Sequence, residues 1–333
     1  MSVTFRSVEL RRSPMETGKA VHGGISFLWK TDGYIRCIAL VVLLLLLPFT
    51  ASSADPDSLA EQGPSLLTGG AVTAGYFALS LYVLGNTWYK DKAVVPFHFS
   101  NDNAAWMQVD KCGHAFGAYV YSYVGYHGML AAGMRRRDAP LFGATLGALM
   151  QTPIEIMDGL HEGYGFSWGD VVANTAGSGL VLGQELLLGE QLLKLKFSYS
   201  PSPYAAHGNG ELGTTDLDRV LKDYNGQTYW LSLPITALVG ESLLPPWICA
   251  AVGYGADGMY GAFDNHAALR DTRIPVVSRR RQVFFSLDVD WSRIETDSSL
   301  LRLLLQGLDF VKLPFPAIEV TSDGAVRAHV VFF

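Results

Sequence analysis

Three polar motifs stand out between residues 110 and 174: Asp110-Lys111-Cys112-Gly113-His114, Glu155-Ile156-Met157-Asp158-Gly159 and Gly169-Asp170-Val171-Val172-Ala173-Asn174. Each motif begins or ends an apolar run of about 20 residues, which is the length of a membrane-spanning helix. Ionisable side chains within such runs are costly, and they persist mostly where they face the interior of a bundle and have a function. The stretch therefore predicts a helical bundle with a polar site inside it.

The composition of the whole chain favours the same interpretation. Of its 333 residues, 49% are hydrophobic and only 17% are charged, whereas ordinary soluble domains contain about 25% charged residues. This deficit, with a positive mean hydropathy, indicates a membrane protein or a protein with a large buried helical core. The net charge of −6 gives no reason to expect a nucleic acid as partner.

Residues 1–54 have the pattern of a secretory signal sequence. Basic residues are followed by an apolar run at residues 37–50 and by the small residues Ala51-Ser52-Ser53-Ala54, in the order that signal sequences use. The alternative is an uncleaved N-terminal anchor helix. The basic region is long for a signal sequence, and Met15 is an alternative start.

Residues 55–195 are predicted to form the helical bundle, with apolar runs at residues 66–89, 106–134, 139–160 and 168–195. Ser167 is a natural N-cap for the last of these helices, because its hydroxyl can accept a hydrogen bond from a free backbone N–H. Residues 196–252 are predicted to contain a polar linker, the Asn225-Gly226 turn and a further apolar helix within residues 231–252.

Residues 253–333 differ in pattern and are predicted to form a strand-containing tail. Residues 283–291 alternate in polarity as a strand does, residues 298–308 form a leucine-rich helix, and Ser322-Asp323-Gly324 indicates a hairpin. The expected fold class is therefore mainly α: a multi-helix membrane or membrane-associated bundle with a small C-terminal α/β tail.

Helical spacing groups the polar residues of the three motifs. Asp110 and His114 are four residues apart, Glu155 and Asp158 three, and Asp170 and Asn174 four, so each pair shares one helix face. Three helices can therefore direct these side chains at one point. Such a cluster suits a hard or borderline metal ion, general acid–base chemistry, or the binding of a phosphorylated lipid head group.

Simpler interpretations of the same residues remain open. Asp110 fits a helix N-cap and His114 a core histidine, and Asp170 with Asn174 fits a capped helix start. Lys111 fits a lysine that extends to the membrane interface. Glu155 and Asp158 favour a function more strongly, because two acids one turn apart beside an apolar helix need a counter-charge, a proton or a metal. No His-Glu-x-x-His pair is present, so the metal and any cofactor stay unspecified.

The motifs also resemble those of known families. Asp110-Lys111-x-x-His114, an acid on the next helix and Gly165-Phe166-Ser167-x-Gly169-Asp170-x-x-Ala173-Asn174-Thr175-x-Gly177 resemble the VanZ-like membrane proteins, and more closely the YfiM-like family of unknown function. The resemblance covers residues 66–333. YfiM-like members are described as predicted periplasmic lipoproteins, and VanZ-like proteins are linked to glycopeptide tolerance. This chain departs from the lipoprotein pattern, since no cysteine follows the apolar region of residues 37–50.

The expected function is that of a bacterial cell-envelope membrane protein, in the inner membrane or facing the periplasm, which acts on or binds a lipid-linked or cell-wall-related substrate. Membrane lipid is the expected partner. Glu155 and Asp158 are expected to act as base or ligand, His114 as acid or ligand, and Asp170 with Asn174 as orienting groups beside Asp110. The alternative is a non-enzymatic envelope protein whose polar residues lock the helix packing, so whether the protein is an enzyme stays open.

Overall fold

The computed structural model describes residues 66–208, 210–240, 244–266, 270–271 and 273–333. The predicted signal sequence or anchor, residues 1–54, lies outside these described residues. The helices are α1 (Leu66–Leu84), α2 (Val109–Ala131), α3 (Ala139–Leu160), α4 (Trp168–Leu188), α5 (Asp216–Lys222), α6 (Thr236–Val239) and α7 (Ser299–Leu308). The strands are β1 (Lys194–Tyr199), β2 (Gln227–Pro234), β3 (Ile248–Asp257), β4 (Arg280–Val289), β5 (Phe315–Thr321) and β6 (Val326–Phe332).

Helices α2, α3 and α4 pack against one another and form the helical layer. The buried aromatic residues Tyr119, Tyr123 and Tyr126 of α2 form its core together with Phe310, which follows α7. The helices approach closely at small residues: a Cβ atom added to Gly177 of α4 would lie 1.9 Å from the carbonyl oxygen of Ala115 in α2. This close packing brings the polar faces of the three helices together.

The N-terminus of α4 forms as the sequence predicts. Ser167 has an extended backbone, and its Oγ accepts a hydrogen bond from the backbone N–H of Asp170 at 3.2 Å. The N-cap prediction is confirmed, and the cap fixes Asp170 in the first turn of α4.

The six strands form one antiparallel sheet in chain order, β1 to β6. Its register pairs Phe197 with Tyr229 and Trp230 with Gly253. On the outer face the sheet exposes apolar side chains such as Leu231, Val252 and Phe285. Its inner face buries Trp230, Ala251 and Phe284 together with charged pairs: Lys194 Nζ lies 2.5 Å from both Asp290 Oδ1 and Asp309 Oδ2, and Lys196 Nζ lies 2.8 Å from Asp288 Oδ2.

The expected fold class, a mainly α membrane bundle with a small tail, is wrong. The sheet extends from Lys194 to Phe332, so its strands make up much of the C-terminal half. Residues 231–252, predicted as a further apolar helix, contain the end of β2, the short helix α6 and the start of β3. β1 and β3 also extend across the domain boundaries predicted at 195/196 and 252/253.

The expectation of several membrane-spanning helices is corrected in the same way. Within the part of the chain that the structure describes, one helix, α4, is long and apolar enough to cross a membrane. A single helix of this kind is also common in the cores of soluble proteins. The strand and helix predictions for the tail, by contrast, are confirmed by β4, α7 and the hairpin of β5 with β6.

A strained turn before α2 contacts both β3 and the residues that precede β2. Trp106, Met107 and Gln108 immediately precede α2 and have left-handed backbones, with φ of 47°, 53° and 68°. The Trp106 ring stacks on Tyr224 at 4.7 Å, and Tyr254 Oη of β3 donates a hydrogen bond to the carbonyl of Met107. These contacts set the position at which α2 begins, and with it the position of Asp110.

Candidate functional site

The last turns of α3 and the first turns of α2 and α4 meet at one place. The six residues predicted from sequence all lie there: Asp110 and His114 on α2, Glu155 and Asp158 on α3, and Asp170 and Asn174 on α4. Five of them contact one another directly or through Lys111, and Asp158 lies beside them. We call the network of Asp102, Asp110, Lys111, His114, Glu155, Asp170 and Asn174 the three-helix site.

His114 is at the centre of the three-helix site. Its Nδ1 lies 3.2 Å from Glu155 Oε1 and 3.3 Å from Asn174 Oδ1, and Asn174 Nδ2 donates to Glu155 Oε1 at 3.1 Å. Its Nε2 lies 3.6 Å from Asp170 Oδ1 and 4.0 Å from Asp110 Oδ1. With the proton on Nδ1, the imidazole is held on that side, and the Nε2 lone pair faces two carboxylates.

Lys111 supplies the positive charge of the site. Its Nζ lies 2.7 Å from Asp102 Oδ2, 2.7 Å from Asp170 Oδ1 and 3.1 Å from Asp110 Oδ2. The side chain is largely buried among these acids, so it does not extend to an interface as the alternative interpretation proposed. Three carboxylates therefore surround one ammonium group, which leaves an excess of negative charge.

Hydroxyl groups complete the hydrogen bonding around the acids. Tyr224 Oη donates to Asp110 Oδ1 at 3.1 Å, and Ser167 Oγ donates to Asp102 Oδ1. Tyr89 Oη donates to Asp158 Oδ1 at 2.6 Å, one helical turn beyond Glu155 on α3. Asp158 therefore belongs to a neighbouring pair.

Sequence reasoning missed Asp102, Tyr89 and Tyr224 as members of this region. Asp102 lies in a loop that has no periodic pattern, and Tyr224 lies more than 100 positions from the acid it contacts. The sequence of the Lys222-Asp223-Tyr224-Asn225-Gly226 run favours a tight turn with aromatic residues beside it over a lipid-head or glycan contact, and neither interpretation predicts a bond to Asp110. No local pattern marks these residues, because their role depends on tertiary packing.

Burial shifts the proton affinities of the acids in this region. Burial raises the pKa of Glu155 to about 8, and the charge of Asp170 adds to the rise while His114 opposes it. Burial likewise raises the pKa of Asp158 to about 7 and that of Asp170 to about 6. These three carboxyl groups therefore keep their protons to a higher pH than exposed carboxyl groups do.

The basic groups respond to the same acids. Burial lowers the pKa of His114, but the carboxylates of Asp110, Asp170 and Glu155 outweigh it and raise the pKa overall. Burial opposes ionisation of Asp102, yet the hydrogen bonds from Lys111 and Ser167 lower its pKa below the usual value. The site is thus strongly electronegative, and it favours bound protons or cations.

The three-helix site is open on one side. The side chains of Asp102 and His114 are 23% and 14% exposed, whereas that of Glu155 is 1% exposed and forms the closed end. Trp168, which lies between Ser167 and the Gly169-Asp170 pair, is exposed and stacks parallel to exposed Phe99 at 6.5 Å. We call Phe97, Phe99 and Trp168 the aromatic rim.

One set of side chains in the described part of the chain has the arrangement of metal ligands. Asp110, His114 and Asp170 each offer a ligand atom within 4.8 Å of the others. The donors are one imidazole nitrogen and two carboxylate oxygens, a set that borderline divalent cations accept.

Comparisons with known proteins place these helices within a family model. No curated protein and no solved structure matches the chain. The resemblances to the YfiM-like and VanZ-like families stay predictions. The description of YfiM-like members as predicted periplasmic lipoproteins agrees with the family model that does match. Residues 98–183, which contain the whole three-helix site, are similar to the family described as "Predicted periplasmic lipoprotein (DUF2279)".

Proposed function

We propose that this chain is a cell-envelope enzyme that carries out acid–base chemistry on a lipid-linked or cell-wall-related substrate in the three-helix site. The strongest support is the way His114 is held. Glu155 and Asn174 fix its Nδ1 side at 3.2 and 3.3 Å, while its other nitrogen lies towards the open side of the site. An imidazole held in one orientation is ready to transfer a proton, because no rotation is needed during the reaction.

The residues differ in their distance from a substrate, and so in their proposed roles. His114 is partly exposed and transfers the proton. Glu155 is buried behind it and acts through His114 as a positioning residue together with Asn174. Lys111 binds polar groups of the substrate, and the buried Asp170 orients its ammonium group at 2.7 Å. Asp158 is bound to Tyr89.

The alternative, a set of polar residues that only locks helix packing, is less well supported. The structure contains a polar lock of that kind elsewhere: Lys194 lies between Asp290 and Asp309, and all three side chains are buried. The three-helix site is instead partly exposed, at Asp102 and His114. A charged cluster of this kind costs stability, so its retention favours a function.

The family match supports the envelope location, and the aromatic rim supports the substrate class. The matching family is described as periplasmic lipoprotein, which favours a protein that faces the periplasm. The aromatic rim provides an exposed apolar platform next to the electronegative site. A substrate with an apolar or ring-shaped part beside a polar group, such as a lipid-linked or cell-wall intermediate, fits this pairing, with membrane lipid as the surrounding partner.

Growth of variant strains tests the proposal. His114→Asn and Asp170→Asn would be introduced at the native locus and compared with a deletion strain under a glycopeptide antibiotic and under deoxycholate. The matched control is Glu319→Gln, because Glu319 is an equally buried carboxylate bound to His329 in the sheet, at 2.8 Å. We expect both site variants to fold, as judged by circular dichroism, and to grow like the deletion strain, whereas Glu319→Gln grows like wild type.

Wild-type growth of both site variants, in a condition where the deletion strain fails, would contradict the proposal. The polar residues would then be structural, and their substitution would change only the melting temperature.

A further inference from the structure

We propose that Asp110, His114 and Asp170 bind a divalent transition-metal cation, of the Zn²⁺ or Mn²⁺ class, within the three-helix site. The ligand set follows from geometry alone, while the use of the cation in a reaction rests on the proposed function. With the cation bound, His114 acts as its ligand instead of as the group that transfers the proton. The cation would lie on the open side of His114, between the two carboxylates.

The distances from His114 Nε2 to the two carboxylates are closer to the spacing of ligands around one ion than to the length of a hydrogen bond. His114 Nε2 lies 3.6 Å from Asp170 Oδ1 and 4.0 Å from Asp110 Oδ1, and both distances exceed the range of a hydrogen bond. Ligands that each lie about 2.1 Å from a tetrahedral Zn²⁺ are about 3.4 Å apart. A small inward movement of the two carboxylates completes that geometry.

The groups behind the three ligands have the arrangement that metal sites use. A metal-bound histidine almost always donates its other N–H to a carboxylate or carbonyl, which fixes its tautomer. His114 Nδ1 has such partners in Glu155 and Asn174. Asp110 is held by the hydroxyl of Tyr224, and Asp170 by the ammonium group of Lys111. Each proposed ligand is therefore oriented by a second residue.

The local charge leaves room for a dication. Asp102, Asp110 and Asp170 surround Lys111, so three carboxylates face one ammonium group. A divalent cation supplies the two positive charges that would balance them. Lys111 Nζ contacts the proposed ligand oxygen Asp170 Oδ1 at 2.7 Å, so the cation would share this oxygen with the ammonium group.

The buried end of the site also contains a carboxylate oxygen without a hydrogen-bond partner in the described part of the chain. Glu155 is 1% exposed, and its Oε1 contacts His114, but its Oε2 has no hydrogen-bond partner among the described residues. Buried carboxylate oxygens are rarely left in this state unless a water or an ion is nearby. The unsatisfied oxygen lies in the same residue that orients the proposed histidine ligand.

The donor set and its exposure indicate the kind of cation and site. One imidazole with two carboxylates suits Zn²⁺ or Mn²⁺ better than Ca²⁺, which prefers oxygen ligands only. Structural zinc sites use four protein ligands, whereas catalytic sites use three and leave a position for water or substrate. Three ligands on the open side of the cluster match the second kind.

Metal analysis of the purified full chain tests the inference. The protein would be treated with EDTA, incubated separately with Zn²⁺ and Mn²⁺, and desalted. Inductively coupled plasma mass spectrometry would give the metal content per chain, and isothermal titration calorimetry the affinity. We expect one cation per chain in wild type, loss of binding in His114→Gln and Asp170→Asn, and a 10- to 100-fold weaker affinity in Glu155→Gln. His329→Gln is the matched control, because His329 has a carboxylate partner, Glu319, but belongs to no three-ligand group among the residues that the structure describes.

The possible outcomes separate this inference from the proposed function. Folded wild type that binds neither cation, or His114→Gln and Asp170→Asn that bind as well as wild type, would overturn the metal site. If His114→Asn nevertheless abolishes growth in the strain test, the proposed function stands without a metal. Stoichiometric binding in wild type, with normal growth of the site variants, would support the metal site and reject the enzyme.

Discussion

At the scale of single residues, two histidines on α2 show how neighbours control a buried imidazole. His114 has three carboxylates around it, and its pKa is raised. Burial lowers the pKa of His127 to about 4, and the ammonium group of Lys194 adds to the effect. The His127 ring packs on Tyr123 at 4.3 Å and Tyr126 at 4.7 Å, and its Nε2 has no hydrogen-bond partner among the described residues. The same side chain therefore has a raised pKa at one end of the helix and a lowered pKa at the other.

His127 predicts a specific loss of stability in acid. Its pKa is about 4 in the folded protein against 6.5 in the unfolded chain, so the unfolded state binds more protons between these values. Stability therefore falls as the pH drops from about 6.5 to 4, by about 2 to 3 kcal/mol from this group. We expect His127→Phe to remove this part of the pH dependence, as measured by urea unfolding at pH 7, 5.5 and 4.5. The exposed His266 provides the control, since His266→Gln should leave the wild-type dependence of the unfolding free energy on pH unchanged. The same dependence in His127→Phe as in wild type would contradict the assignment to His127.

Helical spacing predicts much of the three-helix site at this scale. Residues four apart share a face wherever the helix forms, so Asp110 and His114 approach each other on α2. For the same reason Asp170 and Asn174 of α4 both face His114. The spacing does not predict Asp102 or Tyr224. Their contacts with Lys111 and Asp110 depend on how loops and sheet fold back onto α2.

At the scale of elements, the crossing of α2 and α4 depends on a glycine. A Cβ atom at Gly177 would lie 1.9 Å from the Ala115 carbonyl oxygen, which belongs to the backbone next to His114. A backbone oxygen cannot move aside as the end of a flexible side chain can. The close approach of these helices, and with it the distance between His114 and Asp170, depends on the absence of a side chain at this position.

Substitution of two glycines on α4 tests this dependence. We expect Gly177→Ala to destabilise the protein by about 1 to 3 kcal/mol, because overpacking forces the helices apart. Gly179→Ala is a matched control two residues away: its Cβ meets nothing within 4 Å, and alanine favours the helix by up to about 1 kcal/mol. Urea denaturation midpoints would show the opposite signs. Equal effects of both substitutions would mean that helix propensity, rather than close packing, controls this crossing.

The same scale explains why sequence reasoning finds the helices and misses much of the sheet. The helices α2, α3 and α4 correspond to long apolar runs, where periodicity is clear. In β2 and β3 the exposed face also carries apolar side chains, such as Leu231 and Val252 opposite buried Trp230 and Ala251. Alternation of polarity, the usual mark of a strand, is therefore hidden. The end of β2, the short helix α6 and the start of β3 together have the composition of one apolar helix.

At the scale of the whole molecule, the helical layer and the sheet meet at the start of α2. The matched family region, residues 98–183, ends before β1. Yet Tyr224, which precedes β2, donates to Asp110. The sheet therefore helps to hold one of the proposed metal ligands, although it lies outside the matched region.

A double-mutant cycle measures this connection. Tyr224→Phe and Asp110→Asn, alone and together, should give a coupling energy of about 1 kcal/mol in urea unfolding, the usual net value of a hydrogen bond. The control cycle pairs Asp110→Asn with Tyr260→Phe, because the Tyr260 hydroxyl donates to the carbonyl of Pro275 instead, at 3.0 Å. A coupling near zero in the first cycle, or an equal coupling in both, would show that the sheet does not stabilise the site through Tyr224.

The three left-handed residues before α2 have a consequence for the order of folding. Each costs about 1 to 2 kcal/mol as an isolated conformation, so Trp106, Met107 and Gln108 adopt it only when other contacts compensate. Those contacts come from Tyr224, Tyr254 and Arg281, which follow them in the chain by more than 100 positions. During synthesis, α2, α3 and α4 are therefore complete before the turn that aligns Asp110 can settle. The geometry of the three-helix site is therefore completed late, after β3 and β4 have left the ribosome.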